Sequence, residues 1–159
     1  GDVAAKRQVM IATAQSALAK GDNVTAADQF GKADRLAKLQ GPEAEQMATA
    51  QRRLEPIAKP LTLFRQHDWE YALRDLWMMH EADPGNQDVT TLIVDSYYDL
   101  GVRDMQSGDL AKALEKFNEG LKLHPDDEML ERHRQFAQLY QTHPKDLLYR
   151  IYVKYIPPR

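Results

Sequence analysis

The chain has 159 residues, 43% of them hydrophobic, which suffices for one ordinary domain with a sizeable core. A formal net charge of −3 and a pI near 6.0 give no basic surface for nucleic acid or an anionic membrane. There is no Cys, which excludes disulfides and thiolate metal sites, and no run approaches the about 18 apolar residues of a membrane span.

The lack of Cys fits any compartment, with a soluble cytoplasmic setting slightly favoured. No signal peptide is visible. The sequence opens Gly1-Asp2 without Met and closes Ile156-Pro157-Pro158-Arg159, as expected of a domain excised from a longer protein.

Residues from about Val3 to Lys20 predict a first helix, with Val9, Met10, Ala14, Ala17 and Leu18 as its apolar content. Gly21-Asp22 is a stop-and-restart signal, Gly ending one helix and Asp capping the next. Ala26-x3-Phe30-x2-Ala33 follows on one helix face, and that helix is expected to run through Leu36 and Leu39 to Gln40. Gly41-Pro42 is the break.

From Pro42 to Gln66, Met47, Ala50, Leu54, Ile57, Leu61 and Phe64 recur three or four apart, across Pro56 and Pro60. The residues allow one kinked rod, or two helices broken between 55 and 60, the second being preferred. His67-Asp68 takes the next turn. Ala72-x3-Leu76-x2-Met79 then repeats the earlier triplet, and Pro84 sits in the strong turn Asp83-Pro84-Gly85-Asn86.

A helix from about Asn86 to Ser107 carries Tyr97, Leu100, Val102 and Met105 down one face, with Gly101 permitting close approach. Ser107-Gly108-Asp109 is a third stop-and-restart. Ala113, Phe117, Gly120 and Leu121 share the face of the next helix, and Pro125 disfavours its continuation. Asp126-Asp127-Glu128 begins an acidic-started helix with Met129, Leu130, His133, Phe136, Ala137 and Tyr140 on one broad face. Thr142 to Asp146 is a break around Pro144. The tail 147–156 suits either a strand, by its β-branched and aromatic content, or a short helix, and an otherwise helical chain favours helix.

Tyr97-x2-Leu100-Gly101, Ala113-x3-Phe117, Gly120 and Pro125 stand at the spacings of the tetratricopeptide repeat, which this stretch resembles. Asp104 replaces the family's second aromatic. The resemblance implies an all-α fold: a right-handed superhelical stack of about three antiparallel helix pairs plus C-terminal capping helices. A single domain is expected over 1–159, with repeats at about 3–40, 43–83 and 87–124 and a capping helix and tail at 126–159. The equivalent alanines 26, 72 and 113 are spaced 46 and 41 apart against a family period of 34, so the first helices are expected to be lengthened. Such hairpins cannot bury their apolar faces alone and need neighbours.

No chemistry emerges from the motifs. His80-Glu81 begins like a zincin helix, but Pro84 stands where the second His is needed. Asp83-x-Gly85-Asn86-x-Asp88 superficially resembles a calcium loop with its Gly misplaced and its late Glu missing. The expectation is a non-catalytic chain without cofactor or metal.

The resemblance further implies a concave groove, lined by first helices, that binds a peptide or protein segment. Residue by residue, it points to Asp95, Tyr98, Val102, Met105 and Gln106, and on the following helix to Arg132, Phe136 and Tyr140. Glu131 stands there where an aromatic is expected. Asp95, Asp99 and Val102 occupy positions where chaperone-binding members clamp a carboxylate with basic and amide side chains, so that clamp is absent. An aromatic-lined groove is expected instead. The rivals are that these residues are core, or that the tail 147–156 fills the groove. Self-association, a spacer role, or a regulatory domain of a larger enzyme are the alternative functions. Trp77 and Met78 are either exposed, as a second contact patch or a dimer interface, or equally buried by the long preceding helix.

Overall fold

A computed structural model describes residues 1–143 and 146–159; Pro144 and Lys145, within the expected break, lie outside the described residues. The described residues are all-α, with no strand. They form two compact units, 1–58 and 59–159.

In the first unit, α1 (Asp2–Ala19) pairs with α2 (Asn23–Leu36), and α3 (Gly41–Leu54) packs beside α2. The turn between α1 and α2 works through two residues. Gly21 adopts φ 80°, and Asp22 accepts a hydrogen bond from the Thr25 amide at 3.1 Å. Such a cap contributes about 1 kcal/mol. Ala14, Ala26, Phe30 and Ala33 are fully enclosed, with Ile11, Leu39 and Ala50 completing the core.

Helix α2 stops at Leu36, short of the expected Gln40. The Asp34 carboxylate accepts the Leu39 amide at 2.8 Å, and the Arg7 guanidinium takes the Ala33 and Ala37 carbonyls. These bonds satisfy a helix end while Ala37 turns extended, so Leu39 tucks into the core instead of continuing the helix. After α3, a 3-10 turn, Glu55–Ile57, interrupts the α-helical pattern at Pro56, within the expected 55–60 window.

Helix α4 (Ala58–Arg65) starts at the last residue of the first unit, and the second unit contains the rest of it with α5 (Trp69–Ala82), α6 (Gln87–Gln106), α7 (Leu110–Leu123), α8 (Glu128–Leu139) and α9 (Leu147–Lys154). Consecutive helices α5 to α8 pack as neighbours, and α9 returns against α6. His67 takes the αL turn position that Gly holds elsewhere, at φ 64°, with its ring stacked on Trp69. Side chains of Asn86, Asp109, Asp127 and Asp146 cap the starts of α6, α7, α8 and α9.

Glycines 101 and 120 admit side chains here, not a second backbone. A Cβ at Gly101 would lie 2.3 Å from the Phe117 ring; one at Gly120 would lie 2.8 Å from Leu130 of α8. Met79, expected among the packing positions, is only half-buried. Trp77 is half-buried and donates from its indole to the Tyr97 hydroxyl at 2.9 Å, while Met78 is exposed.

Candidate binding groove

Helices α6 and α8 present a shared face in the second unit, and the C-terminal segment lies on it. Met105 is fully enclosed, and Tyr98 and Val102 are buried in a cluster with Leu130, Ala137, Tyr149 and Val153. Phe136, Tyr140, Tyr152 and Ile156 pack onto that cluster. Phe136 stacks on Tyr152 with ring centroids 3.7 Å apart and contacts Tyr149 and Tyr140. Sequence periodicity placed these aromatics on one face, and the fold uses them to receive α9.

Polar contacts run along the same line. The Gln106 amide donates to the Val153 carbonyl at 3.1 Å and the Ile156 carbonyl at 3.4 Å. The Tyr149 hydroxyl donates to the Met105 carbonyl. His133 sits enclosed between two phenols: its Nε2 is 2.7 Å from the Tyr98 hydroxyl and its Nδ1 2.8 Å from the Tyr152 hydroxyl. A neutral imidazole suits that pair, with one ring nitrogen donating and the other accepting. Burial lowers the His133 pKa to about 4, and Arg159 and Arg132 add to the effect.

Beyond α9 the chain ends in a cage of carboxylates. The Arg159 guanidinium makes a two-pronged contact with Asp127, at 2.8 and 2.9 Å, and reaches Asp95 at 3.1 Å. Its carbon lies 3.9 Å from the Tyr98 ring centre, a cation–π stack. The Arg159 backbone amide donates to Asp99 at 2.6 Å. Asp127 serves twice, since the same carboxylate caps α8 through the Leu130 amide.

The titrations follow from this packing. Burial raises Asp99 to about 7, against the opposing pull of the Arg159 amide. Its Oδ2 is buried without a hydrogen-bond partner of ordinary geometry, although the nearby Trp69 indole also favours the charged form. Burial alone would raise Asp127, but the hydrogen bonds from Arg159 and Leu130 outweigh it and leave the pKa lowered. Burial likewise opposes the charge on Arg159, and its bonds to Asp127 and Asp95 prevail, leaving it raised.

Of the eight residues expected to line a groove, seven face the C-terminal segment: Asp95 through Arg159, Gln106 through its amide, and Tyr98, Val102, Met105, Phe136 and Tyr140 through packing. Arg132 does not pack under the segment; it lies exposed on α8, 3.7 Å from the Met129 sulfur, close enough for its charge to act on His133 and on Tyr152 of α9. Periodicity placed His133 on the broad α8 face and Asp127 in its acidic start but gave neither a role in the groove, and Arg159 was not singled out. A signal existed: acidic residues at 95 and 99, one helical turn apart where a carboxylate clamp needs bases, already reverse the expected ligand charge.

A shallow cavity of about 1000 Å³ opens beside α9, lined by Gln106, Ser107, Gly108, Tyr149, Ile151 and Tyr155 among others. It contains no paired acid and base. Among the described residues no cluster of potential metal ligands occurs, and no helix is long and apolar enough to cross a membrane.

Residues 94–127 match the family model of the tetratricopeptide repeat, spanning most of α6, all of α7 and the turn into α8. No curated protein and no solved structure matches the chain.

Proposed function

With a tetratricopeptide repeat at residues 94–127 as the premise, we propose that this chain is a non-catalytic protein-interaction domain that engages a partner segment on the α6–α8 face. Repeats of this family generally mediate protein–protein interactions, and the family is typically a non-enzymatic scaffold. The observation that carries the reading is the segment already held there. Gln106 and Asp99 grip main-chain groups of residues 153–159 while aromatics take up the side chains. A surface that holds its own chain by backbone hydrogen bonds and apolar seats has the chemistry to hold another. On this reading residues 157–159 are the displaceable part, because Tyr149 and Val153 of α9 are built into the core.

The test places a photo-crosslinking side chain at Arg132, exposed on α8, and in a second protein at Met78, exposed on α5. A partner captured by the full chain and crosslinked from 132 but not from 78 supports the reading. Crosslinking from 78 alone, or no captured protein, refutes it.

A further inference from the structure

We propose that Asp95, Asp99, Asp127 and the Tyr98 ring form an arginine-recognition site, filled in cis by Arg159 and open to an arginine side chain of a partner segment when Arg159 leaves. The inference deepens the interaction reading above and rests on it for the partner, but the cage itself stands on its own geometry.

Two carboxylates, Asp127 and Asp95, hold the guanidinium, and a third, Asp99, holds the backbone amide of the same residue. Asp127 offers both oxygens to two guanidinium nitrogens, a match to a planar fork that an ammonium cannot make. Tyr98 supplies a ring face with the guanidinium carbon 3.9 Å from its centre, a cation–π contact that a guanidinium makes well. Asp99 is 2% exposed, with one oxygen on the Arg159 amide and the Trp69 indole also favouring its charged form, so its carboxyl is held in place by the fold. The walls come from α6 and the start of α8, fixed by a buried helix and an N-cap, so they are in place before the cation arrives. Arg159 is bound from the far end of the chain, 60 residues from Asp99 and 32 from Asp127. The ligand chemistry is an arginine side chain together with its own backbone amide N–H, which meets Asp99 as that of Arg159 does.

The experiment empties the cage in the full chain with Arg159→Ala, which leaves α9 untouched, and titrates it with N-acetyl-arginine-methylamide. Amide NMR shifts of Asp95, Asp99 and Asp127 are the readout. Saturable shifts in the variant are expected, with none for the citrulline analogue and binding about fivefold or more weaker for the lysine analogue, which lacks the fork. The wild type should need about tenfold or more probe, because tethered Arg159 competes at an effective concentration in the millimolar range. Asp127→Asn in the Arg159→Ala background retains the α8 cap and should abolish the shifts. No saturable shift from a variant whose spectrum remains folded, or equal binding of the citrulline analogue, overturns the proposal. A partner crosslinked at position 132 whose retention ignores saturating arginine amide also overturns it, and leaves the protein-interaction reading standing.

Discussion

Gly101→Ala puts a methyl group where the Phe117 ring lies. The added Cβ would meet three ring carbons at 2.3, 2.6 and 2.8 Å. Carbon contacts settle near 3.5–4.0 Å, so the ring must retreat by about 1 Å. Phe117 is fully enclosed, with His133 packed against it, and has no free space to enter. Overpacking of this kind costs about 1–3 kcal/mol, and so close a contact belongs at the upper end. Replacing a mid-helix Gly returns about 1 kcal/mol, for a net loss of about 2 kcal/mol. Both Trp residues, Trp69 and Trp77, lie in the second unit, so Trp fluorescence reports its unfolding separately from the first. With a urea slope of about 2 kcal/mol/M, the midpoint should fall by about 1 M. Phe117→Leu should cost less in the Gly101→Ala background than alone, giving a coupling of about 1 kcal/mol or more. An unchanged midpoint, or strictly additive costs, would refute the account of how α6 and α7 interlock.

Ala113→Leu overfills a fully enclosed position on α7 and should lower stability by about 1–3 kcal/mol in the same urea assay; no change would undermine the α6–α7 register. Two buried groups give opposite pH dependences. Asp99 has a raised pKa, so its stabilising contribution is present below its ordinary 3.8 and lost as pH rises through about 7. Asp99→Asn should therefore raise the melting temperature clearly near pH 8, reflecting up to about 4 kcal/mol, and hardly at pH 4; equal shifts at both would contradict the burial of that carboxyl. His133 has a lowered pKa, so its contribution is present above 6.5 and lost as pH falls through about 4, on the order of 3 kcal/mol at most. Wild type should show the flatter acid profile, and Asp99→Asn the steeper, in melts followed across that window. Asp127→Asn keeps the α8 cap, so helix content by circular dichroism should hold while the Arg159 side chain loosens; a loss of α8 would show that the charge, not the cap, holds the helix start.

Local rules carried much of the fold. Gly21-Asp22 and Gly108-Asp109 encode their turns outright, because positive φ at Gly and a capping carboxylate are both one-residue decisions. His67 was placed in its turn by the triplet that follows it, although its αL backbone is unusual for a residue with a side chain. The end of α2 was not legible, since Arg7 and Asp34 set it through contacts with carbonyls and an amide that no periodicity encodes. The groove face was legible as a stripe of Tyr98, Val102, Met105, Phe136 and Tyr140, but a stripe does not say what covers it. Residues 147–156 were open between strand and helix because β-branched and aromatic content pulls against the helical phase of the segment; α9 forms where Tyr149 and Val153 find the core. Arg159 escaped notice because a long-range ion pair leaves no local pattern.

The central claim is that residues 157–159 occupy the α6–α8 face and yield it to a partner. The chain has no Cys, so Pro158→Cys gives a unique, exposed site for a nitroxide label. In the free protein the label should broaden the amide signals of residues 95–99 and 127–130. Adding the captured partner should restore the α6 and α8 signals. Sharp signals at 95–99 and 127–130 in the free protein, or broadening that persists with the partner bound, would contradict the account.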